Sequence, residues 1–558
     1  MTERIYIGVA WPYANNRLHL GHVAGAYLPP DIFARYHRTR GDEVLMVTGS
    51  DQHGTPVTIR AEAEGKTPAE VADYYHLKFI ENWAALGITF DLYTNTGTEN
   101  HKAVVQDIFL KLLEKDYLYK DTVSQPYCAS CHRFLPDRYV AGVCPSCKTP
   151  GARGDQCDAC GKPMNAAELI DARCKLCGTA PEFRATEHFF LRLSAFEKPL
   201  LEWVGQQADH WRLNVQRFTH QYLKDGLRDR AITRDITWGI PIPLEGYEDK
   251  RIYVWFEAVI GYLSASKEWA QRRGEPEAWR KFWQEDCKSY YFIGKDNIPF
   301  HTIIWPAILM GYGDLNLPYD VPSNEFLTVE AQKLSKSRNI AIWLDDFLSR
   351  YQPDALRYML SINMPDTSDT DFSWREFVRR NNDELVATYG NLVNRVLSML
   401  QKHFEGKVPE HGELDERSAG VIAKTEATLQ TMDELLYRCK FKEAIKTAMA
   451  LAAETNRYLD EKSPWKTVKT DKAAAADALY TALTVISGLR TAFYPFLPFS
   501  SEKLHGFLGY DGNIQADGWQ LRRPVPGAPL NPPEALFIKL DEAIIEEETA
   551  RLGITSQG

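Results

Sequence analysis

Two histidines three residues apart, His19 and His22 in LHLGH, follow an unbroken apolar run from Ile5 to Ala10 and open a stretch with helical patterning. A helix would set both rings on one face, with Gly21 between them leaving room for close backbone approach. Such a helix mouth attracts phosphate. Its free amide groups and positive dipole end face outward, and imidazoles add donors that strengthen as charge builds on a transferring phosphoryl group. Metal ligation and plain packing are the alternative uses of an isolated His-x-x-His. Far downstream, Lys333, Ser335, Lys336 and Ser337 in KLSKS follow the mostly apolar run Phe326 to Val329. Alone, that stretch is a solvated basic turn. Eight of the ten cysteines fall in four Cys-x-x-Cys pairs: Cys128/Cys131, Cys144/Cys147, Cys157/Cys160 and Cys174/Cys177. The start, MTERIYIGV, has no basic region, long apolar core or cleavage site, so these pairs favour metal over disulfides. Eight thiolates suffice for two tetrahedral four-cysteine sites, closed to water and therefore structural. Sequential and nested pairings are both compatible with the spacing.

A chain of 558 residues exceeds one core and implies three to four domains. Its 44% apolar and 25% charged residues are ordinary for a soluble protein. No apolar run reaches the roughly 18 residues of a membrane helix, and the reading is cytoplasmic. The net charge of −10 does not advertise nucleic-acid binding, so RNA contacts would have to come from local basic patches.

Positioning these residues calls for strand, helix, strand, helix from Thr2 to about Glu114. The first helix should stop near Tyr27 and restart at Asp31, because Pro29 and Pro30 remove ladder amides. Val44 to Val47 reads as a second buried strand running into TGSDQHGTP, a polar loop at the strand end where open α/β sheets bind ligands. Asp51 in that loop either meets a ligand or caps the next helix. Tyr117 to Phe183 is rich in Cys, Gly, Pro and Asp and cannot build a core unaided, whereas Thr186 to about Leu244 is ordinary globular sequence. The sheet should resume at Arg251 with a strand from Ile252 to Phe256. Trp255 and Tyr262 follow two helical turns apart, a spacing more often found in cores than in pockets. A further strand, Ser289 to Ile293, ends in Gly294-Lys295-Asp296. Beyond Arg375 the pattern is amphipathic helix: Glu376 to Lys402, Glu413 to Arg438, Lys442 to Leu459 and Ala473 to Tyr494, a bundle. After about Ile545 the chain is short and polar.

LHLGH and KLSKS together resemble the two signatures of class I aminoacyl-tRNA synthetases, usually written HIGH and KMSKS. Within that class, PYANNRLHLGH resembles the methionyl-tRNA synthetase family, and the likeness continues along almost the whole chain. The resemblance implies an α/β fold: a Rossmann-like doubly wound parallel sheet with an inserted zinc-knuckle connective domain, followed by an all-α helical bundle. It implies a first catalytic half at 1–116, a connective insertion at 117–250 with knuckles at 128–177, and a second catalytic half at 251–325. A linker fold at 326–378 bears KLSKS, an anticodon-binding domain spans 379–545, and 546–558 is a tail. The implied activity joins L-methionine to tRNA(Met) using Mg-ATP, with two structural zinc ions. A monomer is expected, since no appended carboxyl-terminal RNA-binding domain is seen.

By the same resemblance His19, His22, Lys333 and Lys336 are catalytic. Gly21, Gly294, Asp296, Arg234, Ser335 and Ser337 meet ATP, although on sequence alone the Arg234-Asp235 pair reads as a surface salt link. Tyr13, Asp51, Trp255, Ala258, Tyr262 and His301 enclose methionine, with Asp51 on its amino group. A thioether suits an aromatic wall, being apolar and polarizable. Asn391, Arg395 and Trp465 read the CAU anticodon. Some family members keep only the inner four cysteines, which favours a nested arrangement: Cys144, Cys147, Cys157 and Cys160 inside, Cys128, Cys131, Cys174 and Cys177 outside. The sequence departs from the family at Val259, where proline is frequent, at Trp11, where leucine or isoleucine is frequent, at Leu334 in place of methionine, and at Pro29-Pro30. Isoleucine, valine and leucine enzymes are disfavoured because the chain lacks room for their editing insertion, and a cysteine enzyme would need an open zinc site. A non-catalytic zinc-stapled tRNA-binding protein has no use for both signatures.

Overall fold

The computed structural model describes residues 2–136, 139–154, 157, 159–160, 164, 166–335 and 339–553. Strands β1 (Arg4–Val9), β2 (Glu43–Ser50), β3 (Leu92–Asn95), β4 (Lys288–Gly294) and β5 (Ser323–Asn324) form a parallel sheet in the order β5-β4-β1-β2-β3. Ile5 pairs with Lys288 on one side and Val44 on the other. With neighbours on both edges and helices on both faces, β1 is buried from Ile5 to Val9, which is why it reads as a continuous apolar run. The chain winds outward from β1 in two directions. Ligands in such sheets bind at this switch point, beyond the carboxyl ends of β1 and β4. Strand β3 was not anticipated, because LYTN is short and half-polar.

The break expected at Pro29-Pro30 does not occur. Leu20–His22, a π-helical turn Val23–Tyr27 and the α-helix Leu28–Arg40 run on without interruption. Both prolines fall in the first turn after the π segment, where the hydrogen-bond register is already changing, so their missing amides cost little. The expected strand from Ile252 to Phe256 is also corrected. Arg251–Ile252 pairs antiparallel with Thr233–Arg234 outside the central sheet, Val254–Arg272 is one helix, and the sheet resumes only at β4. A short apolar run does not separate strand from buried helix.

Leu118–Cys128 and Glu182–Leu191 form a long antiparallel ribbon, Leu118 opposite Leu191 and Tyr127 opposite Glu182, that carries the cysteine-rich lobe. Downstream, Leu327–Val329, Gln332–Lys333 and Thr370–Phe372 make a small sheet. The helices Trp374–Arg379, π-helical Arg380–Gly390 and Asn391–His403 then run continuously, followed by Glu416–Tyr437, Phe441–Lys462 and Lys472–Phe493. Ala543–Ala550, which includes the first residues of the expected tail, is a helix that packs against Trp374–Arg379. Its Glu548 is buried, accepts a 2.7 Å hydrogen bond from the Tyr351 hydroxyl and pairs with Arg350. Among the described residues no helix is long and apolar enough to cross a membrane.

One buried carboxylate ties these bodies together. Asp31, on the helix that follows the histidines, is fully buried and accepts from Arg35 Nε (2.9 Å), Arg357 Nη2 (2.7 Å) and Thr89 N (3.1 Å). Arg357, on the helix Pro353–Ile362, donates onward to the Phe496 (2.7 Å) and Pro495 (2.9 Å) carbonyls of the helical region. Burial works against the charge on Asp31, but the two guanidiniums win and hold its carboxyl below the usual range. Removing one member of a buried ionic cluster strands the others, at about 3 kcal/mol. Asp31→Asn is therefore expected to lower the unfolding free energy measured by urea titration by an amount of that order.

Candidate active site

The two signature stretches meet. Leu20 N donates to Ile342 O (3.1 Å) and Leu344 N to Leu18 O (2.9 Å), so the segment after KLSKS runs antiparallel beside the histidine turn, with His19 bridged to Trp343. Ser335 and Ile340 exchange two backbone bonds of 2.9 Å, which folds the lysine loop back on itself. Leu334 lies over Gly21, where any Cβ would collide with its methyl group. The half-buried rings of His19 and His22 stack with centroids 3.7 Å apart, and His22 Nδ1 accepts from His19 N (3.1 Å). Lys333 is exposed on Gln332–Lys333, and Lys336 and Ser337 lie outside the described residues.

Gly294 ends β4 with open space where a Cβ would stand, and Asp296 is exposed just beyond it. Lys295 is tied down by Glu325 and Asp369, both at 2.8 Å. Arg234 lines a cleft with Tyr13, His53, Tyr253 and Trp255, its guanidinium 3.9 Å above the Tyr253 ring. Its neighbour Asp235 turns away to Lys250, Thr186 and His188 Nε2 (3.1 Å), so only the arginine of that pair faces the cleft.

The loops after β1 and β2 are laced together by backbone bonds, Asp51 N to Pro12 O and Ala14 N to Asp51 O, each 2.8 Å. That places Tyr13 beside Asp51. Trp255 Nε1 donates to the Tyr13 hydroxyl (2.7 Å), and Ala258, one turn on, is half-buried on the same helix. Tyr262 Oη lies 2.6 Å from His301 Nε2, and His301 Nδ1 lies 2.9 Å from Asn297 O. A carbonyl can only accept, so Nδ1 carries the proton and the bare Nε2 accepts from the tyrosine. Burial pushes His301 down to about 4, which keeps it neutral in this apolar wall. Trp11 fits because its indole lies against Gly49 and Gly261, where any side chain would meet the ring.

Behind this wall is a cluster that the sequence reading missed. Glu257 is completely buried with both carboxylate oxygens 3.0 Å from His53 Nδ1 and one 3.4 Å from His101 Nε2. The available signal was an acidic residue inside the apolar run VWFEAVIGYL. Burial opposes both charges, yet Glu257 raises His53 above its ordinary value, and the two imidazoles keep Glu257 below its own. Asp51 is pushed up to about 8 by burial and then by Glu257.

The cysteines gather into two groups, Cys128, Cys131, Cys174 and Cys177, and Cys144, Cys147, Cys157 and Cys160. Within them the sulfur pairs Cys128–Cys177, Cys131–Cys174, Cys144–Cys160 and Cys147–Cys157 are 3.4, 4.0, 3.9 and 3.6 Å apart. Four ligands at the usual zinc–sulfur length in a tetrahedron stand about 3.8 Å apart, so both groups fit such an ion without rearrangement. In the helical region Asn391 is exposed, Arg395 lies 4.7 Å from the face of Trp465 and 3.2 Å from Asp460, and Trp465 is partly exposed.

A parallel sheet whose switch point receives a histidine turn and a lysine loop, with a helical bundle behind it, defines a class I aminoacyl-tRNA synthetase. The family described as tRNA synthetases class I (M) matches residues 5–397, and the anticodon binding domain of methionyl tRNA ligase matches 408–557. The chain belongs to the methionyl-tRNA synthetase family. A methionine–tRNA ligase of Dehalococcoides mccartyi (strain CBDB1) is 68% identical, covering 99% of this chain and all of that one. The methionine–tRNA ligase of Thermomicrobium roseum is 53% identical, over 99% of each chain. The structure of Mycobacterium tuberculosis methionyl-tRNA synthetase in complex with methionyl-adenylate superposes with a TM-score of 0.81 at 26% identity, covering 96% of this chain and 100% of that chain.

Because both ring nitrogens of His301 are committed to neutral partners, its imidazole should not titrate near neutrality. Histidine resonances followed by NMR should show no inflection for His301 above about pH 5, against an ordinary histidine value near 6.5.

Proposed function

We infer that the protein joins methionine to tRNA(Met) in two steps. The methionine carboxylate attacks the α-phosphate of Mg-ATP, giving methionyl-adenylate and pyrophosphate, and the methionyl group then passes to the 2′-hydroxyl of the terminal adenosine. The observation that carries this reading is the meeting of the His19–His22 turn with Leu334 of KLSKS and with the segment Ile342–Leu344 that follows it. Transfers at phosphorus depend on positioning and charge stabilisation, so the scheme needs donors rather than a general base. His19, His22 and the amide-rich turn at Gly21 receive the phosphates, and Lys333 and Lys336, with Ser335 and Ser337, neutralise the departing pyrophosphate. Gly294 allows the nucleotide to approach β4, Asp296 takes ribose hydroxyls, and Arg234 reaches into the cleft.

Methionine's ammonium group binds Asp51, and its side chain lies among Tyr13, Trp255, Ala258, Tyr262 and His301. A neutral His301 and a ring-lined wall suit a thioether, which offers little for hydrogen bonding. Asn391 and Arg395 read base edges while Trp465 stacks on an unpaired base, the usual mode of recognition for a single-stranded RNA loop. The domain limits given by the resemblance remain part of this reading, with the helix Ala543–Ala550 assigned to the linker surface. Two zinc ions would be held by the two cysteine groups, supplying folding energy to a lobe with little apolar core. Thiols kept reduced belong in the cytoplasm.

Methionine-dependent exchange of pyrophosphate into ATP, compared with charging of tRNA, tests the assignment. Lys336→Ala should slow exchange by about a hundredfold, the typical loss of one stabilising donor, and an unchanged rate would remove the lysine loop from catalysis. Trp465→Ala should act on charging, through a KM for tRNA raised about tenfold, consistent with the loss of one base stack. Metal analysis of protein purified without chelators should find two zinc ions per chain. Fewer than one would leave the cysteine groups without their role.

A further inference from the structure

The buried cluster behind the pocket has no part in the reaction just described. Glu257 stands in the first turn of Val254–Arg272, the helix that also supplies Trp255, Ala258 and Tyr262. A carboxylate with no solvent exposure costs several kcal/mol unless it is paired, and an apolar residue would serve the helix better there. The partners show what it does. His53 is gripped at two points: its ring nitrogen Nδ1 lies 3.0 Å from both Glu257 oxygens, and its backbone N–H donates to Asp51 Oδ1 at 3.1 Å. Glu257 thus holds the residue whose peptide group orients the Asp51 carboxylate. His101 closes the other side, with Nε2 3.4 Å from Glu257 and Nδ1 2.8 Å from Ser264 Oγ. Trp238 Nε1 donates to Gln52 O (2.7 Å) and pins the intervening peptide.

We propose that Glu257 is a positioning residue which, acting through His53, aims Asp51 at the amino group of methionine and adjusts how readily that carboxylate accepts it. The role rests on the reading of Asp51 given above. The ionisable groups around the cluster are Asp51 and His53 on the loop after β2, His101 on Glu99–Glu114, and Glu257 and Glu268 on Val254–Arg272. Burial and Glu257 push Asp51 up to about 8, so at neutral pH its carboxyl is mostly protonated in the free protein. An ammonium ion binds the ionised form, so methionine binding expels a proton, and affinity rises with pH until Asp51 is ionised in the free protein. Removing the charge at Glu257 lowers the Asp51 value and moves that inflection to lower pH. A merely structural role for Glu257 would weaken binding without moving it.

Methionine binding to the full chain, measured by calorimetry from about pH 6 to about pH 9, tests this. In Glu257→Gln the inflection should fall by about one unit or more, the scale on which a neighbouring charge acts. Glu257→Asp, which keeps the charge, should restore it. Asp51→Asn should abolish the pH dependence and weaken binding about tenfold, as expected for losing a charged partner. Full affinity with an unchanged profile in Asp51→Asn would overturn the reading of Asp51 and the proposal with it. A wild-type profile in folded Glu257→Gln, alongside weakened Asp51→Asn, would overturn the proposal alone. Should Glu257→Gln not fold, His53→Ala decides: loss of the imidazole should raise the inflection, and a wild-type profile would refute the role.

Discussion

Two backbone hydrogen bonds, Leu20 to Ile342 and Leu344 to Leu18, hold the centre of this molecule together. They join stretches that lie far apart in the sequence, and neither depends on side-chain identity. Much of the remaining architecture supports that join. The parallel sheet brings the ends of β1 and β4 side by side, the π turn carries the histidine helix through two prolines without interruption, and the small sheet Leu327–Val329, Gln332–Lys333 and Thr370–Phe372 carries Lys333. Main-chain bonds suit the task because they fix the spacing of the two stretches whatever side chains those stretches carry.

The pocket is built differently, from side chains that constrain one another. Tyr13 and Trp255 share a hydrogen bond, Tyr262 and His301 share another, and Trp11 occupies space left by two glycines. Each pair draws one partner from a loop or element remote from the other, so the arrangement is decided by contacts between elements rather than within a segment.

Much of this was legible beforehand, for physical reasons. Strands β1, β2 and β4 are buried on both faces, and such strands announce themselves as apolar runs. The helical region showed its periodicity, and the cysteine pairs their spacing. What escaped depended on tertiary context. Ile252 to Phe256 has the composition of a strand and becomes the entry to a helix; Pro29 and Pro30 are absorbed by a change of helical register that no local pattern records. Glu548 looks like part of a solvated terminus, but Arg350 and Tyr351 draw it inward. The partnership of Glu257, His53 and His101 spans three elements, and a lone glutamate in an apolar run signals only that something must neutralise it.

The nesting of the cysteines carries a consequence for assembly. Cys147 and Cys157, which meet in the inner group, are separated by 10 positions, whereas Cys131 and Cys174 in the outer group are separated by 43. Closing the longer loop costs about 1.2 kcal/mol more chain entropy, roughly two doublings of length at about 0.6 kcal/mol each. The outer loop also contains the inner one. An ion captured by the inner thiols would shorten the slack between the outer pairs, so a chain that takes up metal at both groups would fill the inner one first, and that capture would lower the entropic barrier to the outer one.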